Sequence, residues 1–203
     1  MKNRNQLTRR SRRGGKERLV MNRDYAKIKQ EYREAVDADV KGFVEDVIQG
    51  KDKINYVTVA FLSKDASSLI KELTEKDVEG SRVVLDTNAV IHILNRHGVN
   101  GKQDQSMMNI DDIARIGYVI SNYDRIEYDG RTTTGYLDEN GKPSPLVKIS
   151  KRINGTYYVI EAVNSSKKKK NYIISAFIGG VENEEAAPLI PDTCISLQDT
   201  SET

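Results

Sequence analysis

The 203-residue chain contains two histidines, His92 and His97, and both lie in one short segment, TNAVIHILNRHG, residues 87–98. Imidazole titrates near neutral pH, so either residue could serve as a general acid or base. A step of five residues turns a helix by roughly 500°, which places the two rings about 140° apart. They do not share a helix face as a zinc-binding pair would, and no third ligand accompanies them. The segment therefore predicts no metal site.

Structural roles remain open for both histidines. His97 lies in the last helical turn beside Gly98, where its ring could bond to the final carbonyl groups. His92 could be a half-buried residue of the core. The functional alternative is a histidine poised for proton transfer, and the helical periodicity does not decide between these interpretations.

Two polar residues lie within apolar strand segments near the end of the chain. Strict alternation places Glu161 of TYYVIEAV on the strand face of Val159, and Ser175 of NYIISAFI on the face of Ile173 and Phe177. These side chains either mark the solvent side of a sheet or line a cleft where the histidine helix crosses it.

Other kinds of catalytic site are absent from the sequence. It has no Gly-x-Ser-x-Gly motif and no Walker loop, and Cys194 lies in a polar tail far from either histidine. The adjacent carboxylates Asp111 and Asp112 fit the start of a helix better than acid chemistry. The lysine run 167–170 is typical of a solvated hairpin tip, but it could also bind phosphates.

Hydrophobic periodicity divides the chain into helices followed by strands. A stripe of apolar residues predicts a helix over residues 24–50, with Asp24 as a cap at its start and Gly50 at its end. The next expected elements are a strand at 54–61, a helix within 63–80 capped by Ser63 or Asp65, a strand at 82–86, a helix at 87–98 capped by Thr87 or Asn88, and a helix at 109–123. The period then changes to two, and Asn-Gly pairs at 140–141 and 154–155 predict hairpins.

These elements predict an α+β fold, with helices packed on one face of a four- to five-stranded antiparallel sheet and with an N-terminal helix and a basic arm. The expected regions are a basic flexible arm at 1–23, an amphipathic helix at 24–53, a folded unit at 54–181 and an acidic disordered tail at 182–203. The arm carries nine Lys and Arg residues against one Glu, and the tail carries six acidic residues and no basic ones. Such an arm would bind phosphate backbones or be the linker remnant of a longer polypeptide.

The composition also limits the cellular compartments in which the protein is expected. No segment approaches the roughly 20 apolar residues of a membrane span, and no apolar stretch follows the basic N-terminus as in a secretory signal. The single cysteine cannot form an internal disulfide. We therefore expect no membrane partner and a cytoplasmic location, in the producing or the target cell.

The order YVTVAF, VVLDTNAVIHILNRHG, NIDDIARIGYVISNYDRI, GTYYVIEAV and KKNYIISAF resembles the phage-borne branch of the barnase, EndoU, colicin E5/D and RelE-like nuclease superfamily. The resemblance covers residues 54–180, and its most specific piece is His-x-x-x-x-His-Gly, from His92 to Gly98. The segment 120–126 is similar to the family's transition from second helix to sheet. Ser175 stands where the family usually has Thr or Ser. Members of the branch occur as C-terminal domains of phage head-morphogenesis proteins and in polymorphic toxins.

The resemblance implies RNA cleavage with neither a metal nor an organic cofactor. It implies His97 as the principal acid or base, His92 as the second histidine or its structural support, and Ser175 as a hydrogen-bond donor to phosphate. Arg96 and Lys148 could supply positive charge, and Glu161 could contact the substrate from the cleft. The charges between arm and tail balance to zero, which departs from the basic face that ribonucleases often present.

RNA is the expected substrate, with tRNA as one candidate, and an immunity protein or a phage head protein is the expected protein partner. The second of these would make the chain virion-associated. Two other functions stay open at this point. One is a non-enzymatic phage structural or packaging accessory protein that binds nucleic acid. The other is an ADP-ribosyltransferase-like toxin, for which Glu161 is the plausible catalytic glutamate.

Overall fold

A computed structural model of the chain describes residues 26–51, 55–138, 140–153, 155–164 and 169–180. The basic arm and the acidic tail with Cys194 lie outside the described residues, as do Asp24, Asn154, Lys167 and Lys168. The helices are α1 (26–34), α2 (Ala38–Ile48), α3 (Lys64–Thr74), α4 (Thr87–His97), α5 (Ile110–Ala114) and α6 (Ile116–Ser121). The strands are β1 (Tyr56–Phe61), β2 (Arg82–Asp86), β3 (Arg125–Leu137), β4 (Pro143–Arg152), β5 (Thr156–Ala162) and β6 (Lys170–Gly179).

The fold is α+β, as predicted, but the sheet has six strands rather than four or five. Their order is β1-β2-β6-β5-β4-β3, and all neighbours are antiparallel except β2 and β6. The parallel pair joins Arg82 to Lys170 and Val84 to Tyr172, so the early hairpin β1–β2 extends the late meander. A pairing across almost ninety residues of sequence leaves no local signal, which is why the strand count was too low.

One face of the sheet, which we call the helix face, carries the main core. The helices α2, α4, α5 and α6 pack here with apolar residues of every strand. Its central strand residues are all fully buried and come from β4, β5 and β6: Val147, Ile149, Val159, Ile173 and Ala176. Burial of such aliphatic side chains contributes about 1.5–3 kcal/mol each, so this face stabilises the fold.

The opposite face, which we call the aromatic face, carries a smaller cluster. Its buried part consists of Leu146, Ile160, Ala162 and Phe177, and four residues lie at its margin: Tyr136, Tyr158, Tyr172 and Ile174. Tyr136 belongs to β3, three strands away from Tyr172 on β6, yet their rings stack with centroids 4.2 Å apart. Three strand spacings amount to about 14 Å in a flat sheet, so the end of β3 must bend over this face.

Local features of β3 explain the bend. Its register with β4 breaks between Tyr128 and Thr132 and again between Thr133 and Leu137, and Gly130 adopts a φ of +84°. Register breaks and a left-handed glycine increase the twist and curvature of a strand. The bent end of β3 is anchored by an ion pair between Lys76 and Asp138, with Nζ 2.8 Å from Oδ2.

Two of the predicted helices are each divided in two. The helix expected over 24–50 breaks at residues 35–37, because the Asp37 carboxylate accepts the amide protons of Asp39 and Val40 and starts α2 as its N-cap. The helix expected over 109–123 breaks at Arg115, whose φ and ψ of −94° and 2° are not helical. The predicted end of the first helix is confirmed, since Gly50 follows the C-cap with a φ of +63°.

A β-bulge changes the face on which Ser175 lies. β5 and β6 pair Ile160 with Ser175 but Glu161 with Ile173, so one extra residue of β6 lies between these pairs. Strict alternation had placed Ser175 with Ile173 and Phe177 on one face, and this was wrong. Ile173 packs on the helix face, whereas Ser175 shares the aromatic face with Ile160 and Phe177. Within the described residues, no helix is long and apolar enough to cross a membrane.

Candidate functional site

The site is built where α4 lies along β6. β2 pairs with β6 only as far as Tyr172, so the later half of β6 has an edge without a strand neighbour on that side. α4 begins directly after β2 and packs against this edge. Its N-cap is Asp86 rather than Thr87 or Asn88, and the Asp86 carboxylate accepts the amide proton of Ala89 at 2.8 Å. Because α4 follows β2 directly, the position of β2 places α4 and its two histidines beside the middle of the sheet.

His97 ends this helix and lies against the aromatic face. Its ring stacks on Phe177, with centroids 5.2 Å apart and an interplanar angle of 22°. The residue is 1% exposed, and its Nδ1 is 2.8 Å from Oδ2 of Asp104. Its Nε2 is buried without a hydrogen-bond partner among the described residues. His97 thus packs a ring on the sheet and bonds to a carboxylate, and it does not cap the helix carbonyls.

The loop after α4 is folded so that Asp104 reaches the imidazole. The amides of Gln103 and Asp104 donate to the carbonyl of Arg96, and Ser106 donates its amide proton to Oδ1 of Asp104 at 2.9 Å. The Ser106 hydroxyl in turn accepts the amide proton of Ile178 at 3.1 Å, which ties the loop to the free edge of β6. Burial acts to raise the pKa of Asp104, but the bonds from Ser106 and the contact with His97 outweigh it and lower that pKa.

His92 lies on the flank of α4 that turns away from Leu94. The two residues are roughly 160° apart around the helix, and Leu94 packs on the core of the helix face. His92 is half-buried, and its Nε2 is also buried without a partner among the described residues. Burial lowers the pKa of His92, and the nearby charges of Arg96 and His97 lower it further. Its imidazole is therefore held neutral at neutral pH.

Lys148, Ile160 and Ser175 form one row across the aromatic face, on three adjacent strands. Ser175 is completely buried, and its hydroxyl has no partner within the described residues. Lys148 lies over the ring of Tyr158, 5.6 Å from the centroid, and its Nζ is 3.4 Å from a carboxylate oxygen of Glu127. The next row contains Tyr158 and Phe177, whose ring centroids are 5.0 Å apart. Two neighbouring rows, the first beginning at Lys148 on β4, thus cross the aromatic face toward the edge where α4 lies.

A family model supplies the decisive comparison, because it matches residues 62–183, more than half of the chain. The family is described as phage-Barnase-EndoU-ColicinE5/D-RelE like nuclease3, PBECR3. The chain belongs to this family of nuclease-like, phage-related domains. The matched region runs from the end of β1 through β6 and includes both histidines, Asp104 and Ser175. No curated protein and no solved structure matches the chain at a significant level.

Glu161 lies within the PBECR3 region but not at the candidate site. Glu161 pairs with Val147 and Ile173, both of which pack on the helix face, so its side chain is on the side of the sheet away from Ser175 and Phe177. It is completely buried, and Oε1 accepts a hydrogen bond of 2.7 Å from Nδ2 of Asn171. Burial raises the pKa of Glu161 to about 7, against the opposing effect of Asn171. The structure places it in a buried polar pair with Asn171, on the face of the sheet opposite Ser175 and Phe177.

Arg96 lies on α4 next to His97 and is half-buried, so the charge predicted there is close to the site. Among the described residues, no three His, Cys, Asp or Glu side chains come together as metal ligands. Sequence reasoning missed Asp104 and Tyr158 as neighbours of the candidate residues, and it placed Phe177 on the strand face of Ser175 without its contact to His97. The aromatic pair had a signal, since both rings alternate with core residues in their strands. Asp104 had none, because a loop of irregular conformation carries it back to the helix.

Proposed function

We propose that this protein is a metal-independent ribonuclease that cleaves RNA through attack of a ribose 2′-OH, with a 2′,3′-cyclic phosphate as product. One observation carries the proposal. His92 Nε2, His97 Nε2 and Ser175 Oγ are all buried without a hydrogen-bond partner among the described residues, and they lie on the adjoining elements α4 and β6. A buried polar atom without a partner costs about 1–3 kcal/mol, so three such atoms on two adjoining elements favour a functional explanation.

The Asp104 carboxylate suits His97 for proton transfer. A carboxylate can only accept, so Nδ1 carries a hydrogen toward Asp104 in either protonation state of the ring. Nε2 is then the nitrogen that carries or releases the transferable proton. The same arrangement also fixes the orientation of the ring, together with its stacking on Phe177.

The proposed reaction uses the two histidines in different roles. His92, held neutral by its lowered pKa, takes the proton of the 2′-OH, and the 2′-oxygen attacks the adjacent phosphorus. The bond from phosphorus to the 5′-oxygen breaks, and His97 donates its Nε2 proton to that oxygen. Ser175 donates a hydrogen bond to a phosphate oxygen, and Lys148 and Arg96 provide positive charge around the phosphate.

The same burial favours a second candidate function. His97 is 1% exposed and Ser175 is completely buried, so RNA reaches neither atom unless the residues above the aromatic face move. In a non-enzymatic phage structural or packaging accessory protein, the His97–Asp104 pair would simply fasten the 98–106 loop to the sheet. No comparable observation favours the ADP-ribosyltransferase alternative, since Glu161 is on the helix face.

The test is cleavage of tRNA and total RNA by the full chain in the presence of EDTA. Three single substitutions are compared with the parent protein: His97→Gln, His92→Gln and Ser175→Ala. Asn95→Gln is the matched control, because Asn95 is exposed on the same helix. Far-UV circular dichroism and thermal melting establish that each protein is folded. We expect cleavage products with cyclic phosphate ends from the parent and the control, and a loss of at least about 100-fold for both histidine variants.

Two results would exclude the proposed ribonuclease activity. The first is no cleavage by the folded parent protein over a range of RNA substrates. The second is cleavage that persists unchanged in folded His97→Gln and His92→Gln proteins. Either result would favour the accessory protein, in which the same substitutions lower the melting temperature without any effect on RNA.

A further inference from the structure

A second group of cations lies at the far end of the aromatic face. Arg82 on β2 and Lys170 on β6 are direct neighbours across the parallel pair, and both extend toward Tyr56 on β1. The Lys170 ammonium is 3.8 Å from the Tyr56 ring centroid, and the Arg82 guanidinium carbon is 5.7 Å from it. We call Tyr56, Arg82 and Lys170 the basic cluster.

The position of these residues is unfavourable in the free protein. Like charges directly opposite each other on neighbouring strands repel, and both side chains are partly withdrawn from solvent. Within the described part of the chain, no carboxylate is within ion-pair distance of Arg82 or Lys170. The Tyr56 ring offsets only part of this repulsion, since a cation above an aromatic ring gains about 0.5–2 kcal/mol. A bound anion would offset the rest of the repulsion between Arg82 and Lys170.

The cluster is on the same side of the sheet as Ser175 and Phe177. Lys170 is two residues before Tyr172, which belongs to the aromatic cluster, so both side chains project from that face. The preceding residue in the chain, Lys169, is exposed, and two more lysines precede it in the sequence. Tyr56 precedes the region that the family model matches, so the cluster combines β1 with strands of the PBECR3 region.

We propose that the basic cluster is a binding site for the phosphate backbone of single-stranded nucleic acid, separate from the cleavage site. Cations that alternate with an aromatic ring are the combination that such strands require, because phosphates meet the charges and a base stacks on the ring. Lys170 and Phe177 are seven positions apart on β6, which is at most about 24 Å along an extended strand, so the two sites contact different nucleotides. The proposal rests on the proposed function only for the choice of RNA over DNA as the natural ligand.

The experiment measures binding without cleavage. Fluorescence anisotropy follows a labelled 12-nucleotide 2′-O-methyl RNA, whose blocked 2′-oxygen cannot attack phosphorus, and a DNA of the same sequence, at salt concentrations from 50 to 200 mM. The double variant Arg82→Gln, Lys170→Gln is compared with the parent. The control is Lys64→Gln, Lys71→Gln, which removes two charges from the exposed surface of α3.

Each phosphate contact to a single strand contributes about 0.7 to the slope of log K against log salt, so the double variant should lose about 1.4 of that slope. Its affinity deficit relative to the parent should then shrink by roughly sevenfold between 50 and 200 mM salt. The control should keep the parent slope. If the double variant does not fold, Lys170→Gln is used instead, with an expected loss of about 0.7.

Three results would overturn the site: an unchanged slope in the folded double variant, an equal loss in the control, or binding to anionic phosphatidylserine vesicles with none to either oligonucleotide. Binding by the cluster in a protein that cleaves no RNA would refute the ribonuclease and leave this inference standing. Cleavage of RNA by a protein in which the basic cluster binds no nucleic acid would refute this binding site and leave the ribonuclease proposal standing.

Discussion

Replacement of Glu161 with glutamine makes the stability of the fold less dependent on pH. Glu161 is completely buried on the helix face, where Asn171 donates to one oxygen while the other has no partner among the described residues. Because burial disfavours the charged form, the pKa is about 7 in the folded protein against a reference value of 4.5. The folded protein therefore keeps a proton that the unfolded chain releases.

The size and sign of the effect follow from this difference in pKa. One pKa unit corresponds to 1.36 kcal/mol, so the difference amounts to about 3 kcal/mol. A raised pKa in the folded state gives stability that is complete below pH 4.5, falls as the pH rises and is lost by about pH 7. Glutamine cannot ionise, and its Oε1 can still accept from Asn171. Glu161→Gln should exceed the parent's free energy of unfolding by about 1 kcal/mol near pH 5, where most of the unfolded carboxyl is already ionised, and by about 3 kcal/mol at pH 8.

Urea unfolding followed by far-UV circular dichroism at pH 5, 6, 7 and 8 measures this difference, since the chain contains no tryptophan for fluorescence. Glu72→Gln, on the exposed surface of α3, is the control and should show a difference that varies little with pH. His92 and Asp104 titrate in both proteins and lie away from Glu161, so their contributions cancel in the comparison. A difference curve for Glu161→Gln that is flat within about 0.5 kcal/mol, or that slopes the other way, would refute the reasoning.

Asp104→Asn should reduce RNA cleavage by between about 10- and 10⁴-fold, because an amide can hold the ring of His97 in the wrong tautomer; initial rates measure this, and Asp104→Glu should recover part of the activity. If His92 is the base, the acidic limb of the kcat/KM profile should fall below pH 6.5, the ordinary imidazole value, since burial lowers its pKa and keeps the ring neutral to lower pH; a limb above that value would assign the base elsewhere. Gly117→Ala should lower the melting temperature, with a loss of about 1–3 kcal/mol or more, because a Cβ at this position meets the carbonyl oxygen of Val59. Gly42→Ala is its counterpart: nothing lies within 4 Å of that Cβ in the middle of α2, and the protein should gain about 0.5–1 kcal/mol.

Local elements could be predicted from the sequence where a short-range cause determines them. The strand predicted at residues 82–86 is β2, and the histidine helix ends at Gly98 as predicted, because alternation, capping and glycine act within a few residues. The Asn-Gly pair at 140–141 lies between β3 and β4, and Gly141 has the positive φ that such a turn requires. These predictions needed no knowledge of the rest of the chain.

The site depended on long-range causes that the sequence does not display. The parallel pairing of β2 with β6 decides that α4 lies beside β6, and a single extra residue in β6 decides that Ser175 is on the aromatic face. Asp104 reaches His97 only because its loop bonds to both Arg96 and the edge of β6. Alternation correctly placed Glu161 with Val159, but it could not say that this face is covered by helices.

In the proposed ribonuclease, RNA reaches the aromatic face only if an element that packs on this face moves. The 98–106 loop cannot leave easily, because its displacement would break the Asp104 bond to His97 and the bond from Ile178 to Ser106. The bent end of β3 is different. It is tied down by Tyr136, by the Lys76–Asp138 pair and by a hydrogen bond from Asn164 to the carbonyl of Leu137, none of which involves a histidine or Ser175. Tyr136 does bond to Asp86, which caps α4, so release of β3 would free one carboxylate oxygen while the other still caps the helix. In the proposed ribonuclease, displacement of the end of β3 would leave the His97–Asp104 pair intact, whereas displacement of the 98–106 loop would break it.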